Sequence, residues 1–412
     1  MSVTKYHETG FCKGGVDPQL TQWNLLNEDV SLPVAVVYQS RIDNNLQWMQ
    51  KFADHYQVKL APHGKTTMAP ELFKRQQEAG AWAITLASAP QVVAAYDQGL
   101  RRIMMANQLV GKQNMRAIAA LLLKGDFTFY CLVDSVENVQ QLARFFATTG
   151  ITLNVLLEIG VPGGRCGCRD QQQIDAVVNE IALHNCIQLS GIEVYEGVIH
   201  GDNAEQLIRD FLTGVINTLD ALLAVNAFAD EPVILTGAGS AWYDVVAETF
   251  NEAKLASSII PVIRPGCYLI HDTGIYLEAQ NAVNERNQVA CESTGDLQSA
   301  LEVWAYVQSI PESGKAIIGM GKRDAAFDAG LPTPALFFRP GQSAPTAVDK
   351  SWLVTDIMDQ HAYLSYPENA DIKVGDMIAF STSHPCLTFD KWKNIAVLDD
   401  NYQVTDILQT YF

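Results

Sequence analysis

The sequence predicts a (β/α)8 TIM barrel, an α/β fold, joined to a second, mainly β domain. Three observations carry this. Short apolar runs alternate with longer amphipathic segments from about residue 34 to 253, and that rhythm then stops. The polar residues of the first part gather where the apolar runs end, which is where barrels keep their chemistry.

In order, the expected strands are VAVVYQ from Val34, VKLAPHGK from Val58, AITLAS from Ala83 and RIMMANQ from Arg102. FTFYCLVD from Phe127, LNVLLEIG from Leu153, IQLSGIEVYEG from Ile187 and VILTGAG from Val233 follow. Helical patterns such as RIDNNLQWMQKFADHYQ and SVENVQQLARFFATTG separate them; Ser135 opens the second as an N-cap, with Asn138 three positions on. Eight β–α units over roughly 220 residues match a barrel, whereas a doubly wound open sheet more often has five or six strands. The barrel is therefore placed at 29–254. Beyond it, runs such as VIRPGCYLI, ALEVWAYVQSI, SWLVTDI and DMIAFSTS are short and β-rich, with Gly and Pro between them. Residues 255–412 read as a β domain, and 1–28, which lack the barrel pattern, are expected to pack on it.

The 412 residues are 48% apolar and 18% charged, an ordinary globular balance. A net charge of −18 argues against broad nucleic-acid or anionic-membrane binding, both of which need a basic face. No apolar run approaches a membrane span, and the N-terminus lacks the apolar core of a signal peptide. Eight scattered cysteines read as reduced thiols in a cytoplasmic protein.

Reading the strand ends alone gives His63, Lys65 and Thr66, then Ser88, then Asn107 and Gln108, then Asp134. Gly160 to Arg165, Tyr195 with Glu196, and Gly237 to Ser240 complete the set. Helix caps account for Ser88, Asp134 and Ser240. A lysine in APHGKTT has two readings: a solvated rim residue, or a Schiff-base nucleophile. TGAGS at Thr236 to Ser240 favours the second. A Gly-rich turn before a helix offers backbone N–H groups and a positive dipole end to a phosphate. A lysine and a phosphate cradle on one face fit pyridoxal phosphate.

Near the C-terminus, His384 and Cys386 in STSHPCLTFD are two apart, so on a strand they would share a face and could share one Zn²⁺. The plain alternative is a strand-end His beside a buried Cys. His361, in MDQHAY, is either a nearby acid–base group or a surface residue. Cys166 and Cys168 are too close for a CxxC metal site and read as turn residues.

These segments resemble a family. APHGKTTMAPELFKRQQEAGA at 61–81 is similar to the cofactor-lysine segment of the D-serine dehydratase and D-threonine aldolase family, above all to bacterial amino acid deaminases. ANQLVG, EIGVPGGRCG, VYEG, RPGCY and SHPCLTFDKW extend the likeness over nearly the whole chain. It implies the alanine-racemase fold type, a homodimer and pyridoxal 5′-phosphate held by Lys65 as an internal aldimine. It also implies Arg165 near the cofactor's phenolic oxygen and phosphate contacts from Gly239, Ser240, Gly266 and Cys267. His63, Tyr195 and Gly237 are counted with the cofactor contacts, Arg264 keeps an open role, and His384 with Cys386 matches the metal pair. TGAGSAW departs from relatives that carry a Thr-rich loop there.

The function expected is zinc-assisted dehydration of D-serine or another D-3-hydroxy amino acid, with Lys65 and His361 as acid–base groups. Products would be a 2-oxo acid and ammonia. The alternative is a D-threonine-type aldolase giving glycine and an aldehyde. Family aldolases that use Mn²⁺ tend to carry Asp where this chain has Cys386; a thiolate favours zinc and so the dehydratase. A racemase would leave the metal pair idle, and a non-catalytic cofactor carrier would leave the whole set so.

Overall fold

The computed structural model describes residues 13–15, 17, 22–229 and 231–412. The first half runs β1 (Val34–Tyr38), α1 (Gln39–His55), β2 (Lys59–Leu60), α2 (Pro70–Glu78), β3 (Ile84–Leu86) and α3 (Ala89–Asp97). It continues through β4 (Arg102–Gln108), α4 (Lys112–Leu122), β5 (Thr128–Val133), α5 (Val136–Phe146), β6 (Leu153–Ile159) and α6 (Gln171–Ala182). β7 (Ile187–Val194), α7 (Ala204–Ala224), β8 (Val233–Gly237), α8 (Tyr243–Glu252) and β9 (Ile259–Ile263) complete it.

Eight parallel strands pair in the order β2-β9-β8-β7-β6-β5-β4-β3. The ends of that order meet. Trp82 N–H donates to the Leu60 carbonyl at 2.7 Å and Thr85 N–H to that of Pro62 at 2.8 Å, and His63 bridges Thr85 in parallel. The sheet is thus closed into a barrel. Ala61, Ala83, Met104, Leu132, Leu156, Ile234 and Val262, from seven strand segments, fill its interior. Outside, each helix lays an apolar stripe on the strands. In α5 the buried apolar positions are Val139, Leu142, Ala143 and Phe146, the spacing of one helix face. Ser135 caps that helix as expected, its Oγ accepting from Asn138 N–H at 3.4 Å.

One strand is not where the sequence reading put it. β1 is not a barrel stave: it pairs antiparallel with β10 and parallel with β17 of the second domain. The remaining barrel strand is β9, beyond residue 254, paired with β2 and β8. A run buried on both faces, as VAVVY is, has no periodicity to say which sheet it joins. The run VIRPGCYLI, expected as a β-rich run of the second domain, instead begins within the last barrel strand, Val262 and Ile263 pairing with β2 and β8.

The second half holds α9 (Ile275–Arg286), α10 (Gln288–Glu292), β10 (Leu301–Glu312), β11 (Lys315–Ile318), β12 (Thr333–Phe338) and β13 (Thr346–Ala347). β14 (Leu353–Ile357), β15 (Ala362–Ser365), β16 (Met377–Ser381), α11 (Cys386–Phe389), β17 (Asn394–Leu398) and β18 (Val404–Gln409) follow. Its ten-stranded sheet is built on the order β13-β12-β16-β10-β1-β17-β18, antiparallel but for β1 and β17. A mainly β region is present, but its strands begin after β9 and not at residue 255, and the two helices α9 and α10 precede them. Trp23 and Leu25 pack into it with Val34, Trp304 and Phe338, so this part of 1–28 lies on the β domain. Residues 1–12, also in that expectation, lie outside the described residues. The domain docks on the barrel mouth: Tyr411 N–H donates to the Met68 carbonyl at 2.9 Å, and α11 lies against the turn at Gly64–Thr66. No helix among the described residues is long and apolar enough to cross a membrane.

Candidate active site

At the C-terminal ends of the strands lies a cavity of about 580 Å³, walled on one side by the barrel and on the other by α11 and the segment before it. β2 runs into His63 and then a 3₁₀ turn, Gly64–Thr66, that presents Lys65 to the cavity. The turn fits because residue 64 is glycine: a Cβ there would lie 2.7 Å from the Phe73 ring. After β9, Gly266 is needed for a similar reason, since its Cβ would come within 2.8 Å of His63 Cβ and carbonyl oxygen.

Three cations face this space. Lys65 lines it, the Arg165 guanidinium lies 4.8 Å from the centre of the Tyr195 ring, and Arg264 is buried. Arg264 pairs with the Glu193 carboxylate and donates to Thr236 Oγ1 at 2.7 Å and the Val194 carbonyl at 3.1 Å. Burial, then Lys65, Arg264 and Arg165, push the His63 imidazole well below its ordinary range, so it stands neutral, its buried Nδ1 without a partner. Glu193 Oε2 is likewise buried and unpartnered.

Ser240 Oγ accepts from the N–H groups of both Gly266 and Cys267 at 3.1 Å, which converge beside Lys65 as an anion cradle would. The Gly239 N–H, expected in that cradle, donates instead to Glu196 Oε1 at 2.9 Å, and Ala238 N–H to its Oε2 at 2.9 Å. Gly237 does not reach the cavity. It is the last residue of β8, in register with Ile263, and a Cβ there would meet Val194 and Val246. The Gly-rich turn begins to face the site only at Ala238.

Across the cavity, His384 and Cys386 meet, but not on a strand. β16 ends at Ser381, and Pro385 turns the chain so that Cys386 opens α11. Asp328 Oδ2 lies 2.8 Å from His384 Nδ1, leaving the other ring nitrogen for the cavity side. Hydrogen bonding to Cys267, then to His384, brings the Cys386 thiol down to about 4. Hydrogen bonding to Cys386, then Asp328, lifts His384 to about 9. His361 stands apart from all this. It is exposed in the turn joining β14 to β15, its carbonyl accepting from Met358 N–H at 2.7 Å. His361 does not line the cavity, so within this chain it is not among the acid–base groups that face the site.

The sequence reading missed a buried acidic pair. Glu158 and Glu193 are register partners on β6 and β7. Burial first, then Glu193, pushes the Glu158 carboxyl up to about 7, and Gln108 Nε2 donates to it at 2.5 Å. Asp134, Glu158 and Cys166 place donor atoms within 4.8 Å of one another, a group able to hold a metal ion. Cys166, read as a turn residue, does lie in a turn and also lines the cavity. Carboxylates inside the apolar runs LNVLLEIG and IQLSGIEVYEG were the available signal, because a buried charge needs a reason.

A barrel whose mouth is closed by a β domain and lined by one lysine and two arginines has the architecture of the alanine-racemase-like fold. Residues 37–206 match the family described as alanine racemase, N-terminal domain, and residues 300–398 match the putative serine dehydratase domain. The chain therefore combines these two domains, and its homologues are D-threonine aldolase and the D-3-hydroxyaspartate dehydratase and aldolases. D-threonine aldolase of Arthrobacter sp. is 23% identical over 376 residues, 90% of this chain and 90% of that protein. D-threo-3-hydroxyaspartate dehydratase of Delftia sp. is 22% identical over 370 residues, 86% of this chain and 91% of the other. Among solved structures, D-threonine aldolase from Filomicrobium marinum superposes with a TM-score of 0.77 at 21% identity, covering 96% of this chain and 98% of that one. The Delftia dehydratase gives 0.74 at 20%, covering 94% and 99%.

Proposed function

We propose that this protein is a pyridoxal-phosphate-dependent lyase that dehydrates and deaminates D-serine-like 3-hydroxy amino acids with the help of zinc. One observation carries the reading: Lys65, the cations beside it and the His384–Cys386 pair line the same cavity. The residues fit an anionic, aromatic cofactor. Lys65 would hold it covalently, Arg165 and Arg264 would balance its charge, the Gly266 and Cys267 N–H groups would turn from Ser240 Oγ to the phosphate, and His63 would offer a neutral imidazole. Bound there, the cofactor supplies an electron sink for a carbanion at Cα. Zinc on His384 and Cys386 supplies a Lewis acid for the β-hydroxyl. Freed once the substrate's amine has taken its place, the Lys65 amine would remove the Cα proton, and net loss of water followed by hydrolysis would give a 2-oxo acid and ammonia.

Support for the metal comes from the Delftia dehydratase, whose solved forms include a His→Ala variant and a Cys→Ala variant described as metal-free. Those two positions are two apart in that chain, the spacing of His384 and Cys386 here. The second reading, retro-aldol cleavage, is favoured by the aldolases among the homologues. The barrel–β-domain arrangement also supports a homodimer, tested by sedimentation; a stable, fully active monomer would refute it. For the reaction itself, the test is chelation. Chelator-treated protein is expected to lose 2-oxo acid formation from D-serine and to regain it with zinc. Undiminished turnover without metal rejects the reading.

A further inference from the structure

We propose that Cys267 is a third protein ligand of the metal held by His384 and Cys386. This rests on the metal reading above and says which atoms of this chain complete the site. Catalytic zinc sites ordinarily carry three protein ligands and leave a fourth position to water or substrate. A His–Cys pair supplies two, so the third donor has to come from its surroundings.

Besides His384, Cys386 Sγ meets Thr66 Oγ1 at 3.5 Å and Cys267 Sγ at 3.7 Å. A neutral hydroxyl is outside the thiolate, imidazole and carboxylate set that zinc sites use. Asp328 is engaged at His384 Nδ1, where it orients the ring as an outer partner does. Asp390 is exposed at the rim. Cys267 is left: buried, not in a disulfide, and with its sulfur facing the pair.

The spacing of the sulfurs suits one ion. Two sulfurs 3.7 Å apart, each about 2.3 Å from a zinc, subtend about 107° at the metal, close to the tetrahedral angle. Neither sulfur has to move. His384 hydrogen-bonds Cys386, and a turn of its ring toward Cys267 would close the set.

This arrangement has a structural consequence. Cys267 belongs to the barrel, in the turn after β9, and Cys386 to α11 of the β domain. One ion on both would pin the two domains together across the cavity. The Cys267 backbone N–H already points at Ser240 Oγ in the anion cradle, 3.1 Å away. Metal and phosphate would then share a residue, and binding of one should strengthen binding of the other. Two thiolates also bias the site toward zinc over manganese more strongly than one.

X-ray absorption at the zinc edge of the wild-type holoenzyme tests this without any substitution. Two sulfur neighbours are expected at about 2.3 Å. A single sulfur overturns the proposal and leaves the His–Cys reading standing; no bound metal overturns both. In a second measurement, cobalt replaces zinc in wild type and in Cys267→Ser and Cys267→Ala. Each folded variant is expected to lose about half of the thiolate-to-cobalt absorption and to bind zinc at least about tenfold more weakly by chelator competition. Full absorption with unchanged affinity contradicts it.

Discussion

The two walls of the cavity are built differently. On the barrel side, functional groups sit where parallel strands end, and their backbones are fixed by the ladder. Arg264 is locked by Glu193, Thr236 and Val194. On the β-domain side, His384 and Cys386 sit on a segment leaving β16, held by side-chain contacts such as Ser383 Oγ to the Gly330 carbonyl at 2.7 Å and His384 to Asp328. The residues proposed to hold the cofactor thus belong to one fold, whereas the proposed metal site, if Cys267 joins His384 and Cys386, would be complete only when the two domains dock. The first should tolerate loosening of the interface; the second should not.

Breaking the barrel wall has the largest effect. Lys65→Ala is expected to abolish borohydride-trapped cofactor and to lower turnover by about 10²–10⁴-fold. Peptide mapping that finds the reduced cofactor on another lysine contradicts this. Breaking the support of the other wall should cost less. Asp328→Ala removes the partner of His384 Nδ1 and is expected to reduce metal affinity by about 10–100-fold, with cofactor absorption retained. Loss of cofactor and metal together would erase the contrast between the walls.

A smaller effect concerns Glu158. Its carboxyl titrates near 7 in the folded protein and at the ordinary 4.5 when unfolded, so the folded state holds the proton more tightly. Stability should therefore be full below about pH 4.5 as far as this group is concerned and fall as pH rises through 7. Glu158→Gln should flatten that decline, by about 2–3 kcal/mol near pH 8. Denaturant melts of both proteins across pH 4–8 check it; parallel curves contradict it. The smallest effect is remote from both walls. Ser135→Ala, at the cap of α5, should cost about 1 kcal/mol and leave turnover unchanged.

The same contrast explains what could be read in the sequence. Barrel rhythm and strand ends are local signals, so the sequence alone assigns Lys65, Arg165, Tyr195 and Ser240 to one mouth. Which sheet takes VAVVY is a long-range matter, as is the choice of IIPVI for the last stave, and neither has a local signature. The His–Cys pair was legible as a pair, but its turn geometry depends on Pro385, and its contact with Cys267 spans 119 residues. His361 sits in the exposed turn between β14 and β15 and does not line the cavity, because closeness to a motif in sequence does not bring a side chain to it. Glu158 and Glu193 were overlooked because inward carboxylates were read as parts of strands rather than as buried charges.

The proposed reaction eliminates the β-hydroxyl instead of cleaving Cα–Cβ. Product analysis with D-threonine tests it most directly. The zinc-loaded enzyme is expected to yield 2-oxobutyrate and ammonia in equal amounts; glycine and acetaldehyde as the dominant products would contradict it.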